Sequence, residues 1–363
     1  MAARVISKRF KKGRTMKKKA PTMRDVARLA EVSVATVSAV ANGTAVVSPK
    51  RAERVRKAME ALDFHPDQIA RSLKTGRTQV VGMILPDVTN PFYPEVIVGA
   101  EEIARAAHYS VMLCNANEDP QQEQQQLNTL FSHRVDGVLI ACSDPAISFD
   151  RVMRRRFPIV CFDRIPPGFQ GDSAATDNYH GAYEGTRHLI SLGHERIAAL
   201  AGRTSLSTHS ARLQGFRRAM ADGGLPVFDD LCWPGGMQPQ AGYDAGRKLF
   251  ALARRPTALF CTNNKLLLGF VRAMGELGLR CPEDISIVGF DDFTWTENFH
   301  PPLTTVVQPA RELGRRAMQL LLERVENTVD DIPSRQIVLK QELRVRASTA
   351  APSVPVRRKA AAR

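Results

Sequence analysis

At 363 residues with 44% apolar side chains, the chain is long enough for two or three domains with substantial cores, which excludes a peptide or a wholly disordered protein. No apolar run approaches the roughly 20 residues that span a bilayer, and the opening MAARVISKRFKKGRTMKKKAPTM lacks the apolar stretch of a secretory signal, so a cytoplasmic protein with no membrane contact is expected. The net charge of +14 is uneven: residues 1–75 hold 18 Lys and Arg against 6 Asp and Glu, residues 351–363 hold 4 basic groups and no acid, and the stretch between is near neutral at −2. A basic head on a near-neutral body points to a polyanion-binding domain attached to one of another kind.

Residues 1–21 read as a basic, disordered extension. From Thr22 to Leu62 the pattern predicts three short helices. Thr22 can cap the first, with Asp25 completing a capping box and Val26, Ala27 and Ala30 on one face. Glu31 and Val32 make a tight turn, Ser33 caps a helix from Val34 to Ala41, and Asn42-Gly43 ends it. Ser48 caps a third helix with Pro49 at its first position and Val55, Met59 and Leu62 turned inward.

Asp67 to Thr75 reads as helix or linker. Beyond it, β-like runs alternate with helical ones: VVGMILP, a helix from Phe92, SVMLCNA, a helix around Gln121 to His133, GVLIAC, a helix near Arg151, then PIVCFD. The rhythm restarts with RIAALAG, a helix through Arg212 to Met220, a strand near Cys232, a helix after Gln240, TALFCTN, a helix after Lys265, and ISIVGFD. Two successive α/β halves with parallel sheets are predicted, with a ligand cleft at the carboxyl ends of their strands. Residues 349–363 read as a disordered basic tail. The six cysteines, Cys114, Cys142, Cys161, Cys232, Cys261 and Cys281, stand singly, which favours reduced thiols over disulfides or zinc.

The spacing TMRDVARLAEVSVATVSAVANG places small Ala27 where two helices approach, apolar Val32 in the turn, and Val37 and Val40 on the inner face of the second helix. That is a helix-turn-helix pattern, shared in part by any αα-hairpin. The words are more specific: RDVARLAEVSVATVSAVANG resembles the N-terminal signature of the LacI/GalR family of bacterial regulators, and the resemblance continues through FHPDQIARSLKTGRTQVVGMILPD to cover residues 22–348.

The resemblance implies a homodimeric repressor with a small all-α helix-turn-helix head (22–66), a hinge helix (67–77) and a two-lobed periplasmic-binding-protein-like α/β domain (78–348) that binds an effector and dimerises. Val34, Ala35 and Ala39 stand where family members read base edges. All three are small and apolar, suited to a thymine methyl rather than to bidentate hydrogen bonds, which shifts specificity toward DNA shape. Thr22, Ser33, Thr36 and Ser38 are hydroxyls suited to phosphates, although Thr22 and Ser33 also serve as caps. Asn42, Ala70, Leu73 and Lys74 complete the DNA-facing set, with Leu73 as a minor-groove wedge and domain packing as its plainer role. Asp67 replaces the usual asparagine; a carboxylate beside phosphates is unfavourable, which leaves capping of the hinge helix as a role open to it.

In the body, VGMILPDVTNPFYPEV, VDGVLIACSD, VCFDR, RLQGF, FCTNN, GFDD and LTTVVQP also resemble periplasmic sugar-binding proteins. Against the ribose-binding member, the sugar-contacting positions are Asn90, Phe92, Tyr93, Asp163, Arg164, Arg212, Asn263, Asp291 and Gln308. Aromatic faces stack on a sugar ring while planar Asp, Asn, Arg and Gln groups bond its hydroxyls; singly, Phe92 reads equally as core and the aspartates as turn caps. Met237 stands where another aromatic is common, and Asn264 replaces an aspartate, altering a hydrogen bond expected within its lobe. No P-loop, GxGxxG, HExxH or GxSxG motif occurs, so no catalytic residue, metal or cofactor is expected. His188 and His194 fit a helix end and a turn. The reading is a sequence-specific repressor of sugar uptake or catabolism genes, bound to a near-palindromic double-stranded operator and controlled by a neutral sugar such as ribose. A soluble sugar-binding receptor is the alternative, disfavoured by the helix-turn-helix and the absence of a signal.

Overall fold

A computed structural model describes residues 21–42, 46–64, 76–147, 149, 157–326 and 333–353, without the side chain of Asn42. The chain divides into two compact units, Met1–Thr78 and Gln79–Arg363. The helix predicted near Arg151 and the hinge residues Asp67, Ala70, Leu73 and Lys74 lie outside the described residues.

The first unit contains α1 (Met23–Ala30), α2 (Val34–Asn42) and α3 (Pro49–Ala61). Its core is small: Val26, Ala27, Ala30, Val37, Val55 and Ala58, with Val32, Val40, Met59 and Leu62 packed against them. At the start of α1 the Asp25 carboxylate accepts from the Thr22 backbone N–H at 3.0 Å and from its hydroxyl at 2.7 Å. Ser33 caps α2 by accepting from Thr36 N–H at 3.1 Å. Arg54 of α3 donates to the carbonyls of Ala30 (2.5 Å) and Glu31 (3.2 Å), satisfying the end of α1 where the turn begins.

The second unit holds two six-stranded sheets. Lobe one has the order β11-β5-β4-β3-β1-β2 and is parallel throughout. Its strands are β1 (Val80–Leu85), β2 (Ser110–Asn115), β3 (Gly137–Ile140), β4 (Ile159–Phe162), β5 (Asp172–Thr176) and β11 (Gln336–Leu339). Lobe two has the order β12-β10-β9-β8-β6-β7, from β6 (Ile197–Gly202), β7 (Cys232–Pro234), β8 (Ala258–Cys261), β9 (Ser286–Phe290), β10 (Thr304–Val307) and β12 (Glu342–Arg344). There β12 runs antiparallel to β10.

Helices α4 (Phe92–Ala106), α5 (Pro120–Ser132) and α11 (Ala310–Glu326) serve lobe one. Lobe two carries α6 (Asn178–Ser191), α7 (Ser207–Asp222), α8 (Pro239–Ala251), α9 (Asn264–Glu276) and the single turn α10 (Thr294–Glu297). The two halves therefore do not simply follow one another. The chain crosses after β5, returns after β10 to add α11 and β11 to lobe one, and crosses again to β12. The reason is burial: Leu313, Ala317, Met318 and Leu321 of α11 fill the core against Val96 and Ala100 of α4. The backbones meet so closely that a Cβ on Gly99 would run into the Arg311 carbonyl, and one on Gly314 into that of Val96.

The predicted disorder from residue 349 is corrected for its first five residues. Ala350 N–H donates to Ser286 at 3.1 Å, the Ala350 carbonyl meets His194 Nε2 at 2.8 Å, and Ser353 donates to Glu283 O at 2.8 Å. His188 meets Thr349 at 2.9 Å, so both histidines secure this strap. All six cysteines are free, and burial pushes the Cys261 and Cys281 thiols up to about 12. Among the described residues no helix is long and apolar enough to cross a membrane, and no cluster of three His, Cys, Asp or Glu side chains could hold a metal.

Candidate functional site

The cleft between the lobes is built from the carboxyl ends of strands. VCFD and VGFD end β4 and β9, which occupy matching places in the two sheets. At each end the aspartate takes a left-handed backbone, φ 57° at Asp163 and 73° at Asp291, a conformation Asp tolerates better than most residues. Its N–H bonds the neighbouring strand, to Ala174 O and Val306 O, each at 2.9 Å. Both aspartates are buried, and burial raises both carboxyls above their ordinary range against the pull of nearby arginines.

Around Asp163, the Tyr93 hydroxyl donates at 2.9 Å. Both terminal nitrogens of Arg164 donate to Glu118, at 2.8 Å each. Its Nε is 3.9 Å from Asp163. Burial by itself favours the neutral form, but the carboxylates of Glu118 and Asp163 outweigh it and hold the guanidinium charged. Arg203 of lobe two reaches the same Glu118 at 3.0 Å and the Ser143 carbonyl at 2.9 Å.

Around Asp291, Gln308 donates at 2.5 Å and Asn264 at 2.9 Å. The same Asn264 amide donates to Asn90 of lobe one at 2.9 Å, so the bond expected inside one lobe also spans the cleft. Gln308 lies at a crossover and accepts from Thr176 at 2.6 Å and from Gln341 at 3.2 Å, which ties all three crossings together. Arg212 is fixed by Asn178 (2.7 Å) and the Thr262 carbonyl (2.6 Å), its guanidinium 3.6 Å from the centre of the Phe290 ring. Burial lowers its pKa while Asp291 and Asp163 oppose the shift. His209, beside it, is held neutral by burial and by Arg212.

Three predicted residues carry structural duties as well. The Asn263 oxygen caps α9, accepting from the N–H groups of Lys265 (2.9 Å) and Leu266 (3.1 Å). Phe92 and Tyr93 are 4% and 1% exposed and join the lobe-one core, so most of both rings is packed against protein. A pocket of about 260 Å³ nevertheless has Phe92, Asp291 and Gln308 in one lining, with Glu95, Phe293 and Arg311. Glu118, Arg203, Asn178, His209, Asp87 and Lys265 were missed by sequence reasoning. Glu118 had a usable signal: it follows β2 at a carboxyl strand end, where α/β ligands bind.

In the head, Val34 and Ala35 are exposed and Ala39 is half-buried at the start and middle of α2. Val37 is buried beneath them. The Thr22, Ser33 and Thr36 hydroxyls are engaged in caps, and Ser33 meets Thr36 at 2.9 Å. Ser38 is half-buried.

Family comparison matches residues 22–67 to the lacI family of bacterial regulatory proteins and residues 78–343 to the periplasmic binding proteins and sugar binding domain of the LacI family. The chain belongs to the LacI family. It is 37% identical over 308 residues to the HTH-type transcriptional repressor PurR of Photobacterium profundum, covering 84% of this chain and 92% of that one. The lac repressor dimer bound to operator and the anti-inducer ONPF superposes with TM-score 0.80 at 27% identity, over 92% of this chain and all of the other. A LacI family transcriptional regulator from Enterococcus faecium with bound ribose matches with TM-score 0.66 at 31% identity, over 75% and 99%. This LacI-family chain is thus a DNA-binding transcriptional repressor with an effector-binding domain, and not an enzyme.

Proposed function

We propose that this repressor acts in the cytoplasm as a homodimer on a near-palindromic operator of sugar uptake or catabolism genes, and that its effector is a neutral aldose of about the size of ribose. One observation carries the choice of a neutral ligand: the cationic groups of the cleft are matched by carboxylates. Arg164 and Arg203 share Glu118, Lys265 pairs with Asp87 at 2.5 Å, and Arg212 is opposed by Asp163 and Asp291. Among the described residues, a carboxylate or phosphate on the ligand meets these cations already opposed by carboxylates, whereas hydroxyls find acceptors in Asp163 and Asp291 and donors in the amides of Asn90, Asn263 and Gln308. The ribose-bound Enterococcus faecium relative supports the same class.

Calorimetry with the full chain tests this against ribose, other aldoses, sugar acids and purines, the last because of the PurR relatives. Ribose or a similar aldose is expected to bind, and Asp291→Ala to abolish binding while operator affinity survives. An unmet hydroxyl in a buried site costs about 1–3 kcal/mol. Purine binding without sugar binding overturns the assignment. For the head, Val34, Ala35 and Ala39 read bases, the hydroxyls of Thr22, Ser33, Thr36 and Ser38 contact phosphates, Asn42 belongs to the same DNA-binding set, and Ala70, Leu73 and Lys74 act at the hinge, with Leu73 in the minor groove. Operator affinity measured by fluorescence anisotropy is expected to fall steeply with salt, and Leu73→Ala to weaken specific binding far more than non-specific binding. Equal loss of both makes Leu73 a packing residue.

A further inference from the structure

The loop between β1 and α4 carries Asp87, Thr89 and Asn90 and leads directly into Phe92 and Tyr93. Two consecutive residues at the start of α9, on the opposite lobe, grip it at two points. Lys265 Nζ donates to Asp87 Oδ2 at 2.5 Å and to Thr89 Oγ1 at 3.1 Å. Asn264 Nδ2 donates to Asn90 Oδ1 at 2.9 Å. The receiving side is prepared, since Asp87 Oδ1 already accepts from Thr89 N–H (2.9 Å) and from its hydroxyl (2.6 Å). The giving side is equally fixed, because the Lys265 N–H is held by the Asn263 cap.

We infer that Lys265 and Asn264 form a two-point clasp across the cleft, and that Lys265 sets effector affinity through the population of joined lobes rather than by touching the ligand. The inference rests on the reading of the cleft as the effector site. One contact between two bodies permits pivoting in every direction; two contacts from consecutive residues to one loop leave only rotation about the line that joins them. Lys265 and Asp87 side chains are only 18% and 11% exposed, so the pair attracts in a medium poorer than water; parting the lobes gives up that attraction, and hydration of the two ends returns part of it. Apparent affinity scales with the fraction of molecules in the binding-competent arrangement, so loosening the clasp weakens binding with every ligand contact intact.

The test uses the full-length chain, with D-ribose as probe and a charge reversal as control. Asp87→Lys, Lys265→Glu and the uncharged Lys265→Met are each expected to weaken ribose binding by about tenfold in calorimetry. The double variant Asp87→Lys with Lys265→Glu is expected to recover to within about threefold, which a merely structural role does not predict. In parallel, hydrogen exchange of the ligand-free proteins at residues 86–93 and 262–267 is expected to quicken in the single variants and slow again in the double. Lys265→Met matching wild type in both measurements, or a double variant no better than the singles, overturns the clasp. If wild type binds no sugar, the ribose reading falls, and the exchange measurement alone decides the clasp.

Discussion

Replacing Glu118 with alanine removes the shared partner of two arginines that lie on different lobes. Arg164 is the sensitive one: its side chain is 5% exposed, and Glu118 takes both of its terminal nitrogens. Breaking a buried pair by deleting one member costs about 3–5 kcal/mol, because the remaining charge is left in a poor dielectric. The lower end applies here, since Asp163 stands 3.9 Å from Arg164 Nε and Arg203 can turn to water. At about 2–4 °C per kcal/mol for a body of this size, the melting transition falls by roughly 6–12 °C in scanning calorimetry. Replacing the pair together, Glu118→Leu with Arg164→Met, is expected to recover most of that loss, as apolar substitutes for buried ion pairs often do. The single variant also leaves the cleft one positive charge in excess, so a sugar acid is expected to gain affinity relative to ribose. A stability loss under about 1 kcal/mol, with no change in ligand preference, refutes the assignment of Glu118 as the counter-charge of the cleft.

Burial alone would raise the carboxyl of Asp292, but it accepts from Arg346, Thr296, Thr305 and Arg344, which prevail and hold it down at about 2. With the folded pKa below the unfolded one, its stabilisation is full above about pH 4 and lost as pH falls toward 2. Asp292→Asn is therefore expected to be roughly 1–2 kcal/mol less stable than wild type at pH 7, allowing for screening, and the gap in urea unfolding to close near pH 2. Gly99→Ala places a methyl against the Arg311 carbonyl at the crossing of α4 and α11, and is expected to cost about 1–3 kcal/mol or more in the same assay. Arg54→Ala strips the donor from the end of α1 and is expected to cost about 1 kcal/mol, read as weaker operator binding at unchanged salt dependence.

The sequence by itself determined the local elements and the chemical inventory of the cleft. Capping signals at Asp25, Ser33 and Pro49 and the apolar face of Val26, Ala27 and Ala30 are short-range matters, and the three helices of the head stand where those residues place them. The aspartates ending VCFD and VGFD were legible for the same reason, as polar groups at the ends of β-like apolar runs. What only the tertiary structure decided depends on distance along the chain. No periodicity could reveal that Ala310–Glu326 and Gln336–Leu339 return to lobe one, because that choice is made by the fit of Leu313 and Met318 against a helix some 200 residues earlier. Nor could composition assign partners: Arg164 had Asp163 beside it in sequence, yet its terminal nitrogens went to Glu118, 46 residues away. Asn264 likewise looked like a neutral replacement within its own lobe, and became a bridge because the fold brings Asn90, 174 residues distant, to within 2.9 Å. Pairing among buried polar groups is settled by which donors and acceptors the packed lobes bring together once water is excluded.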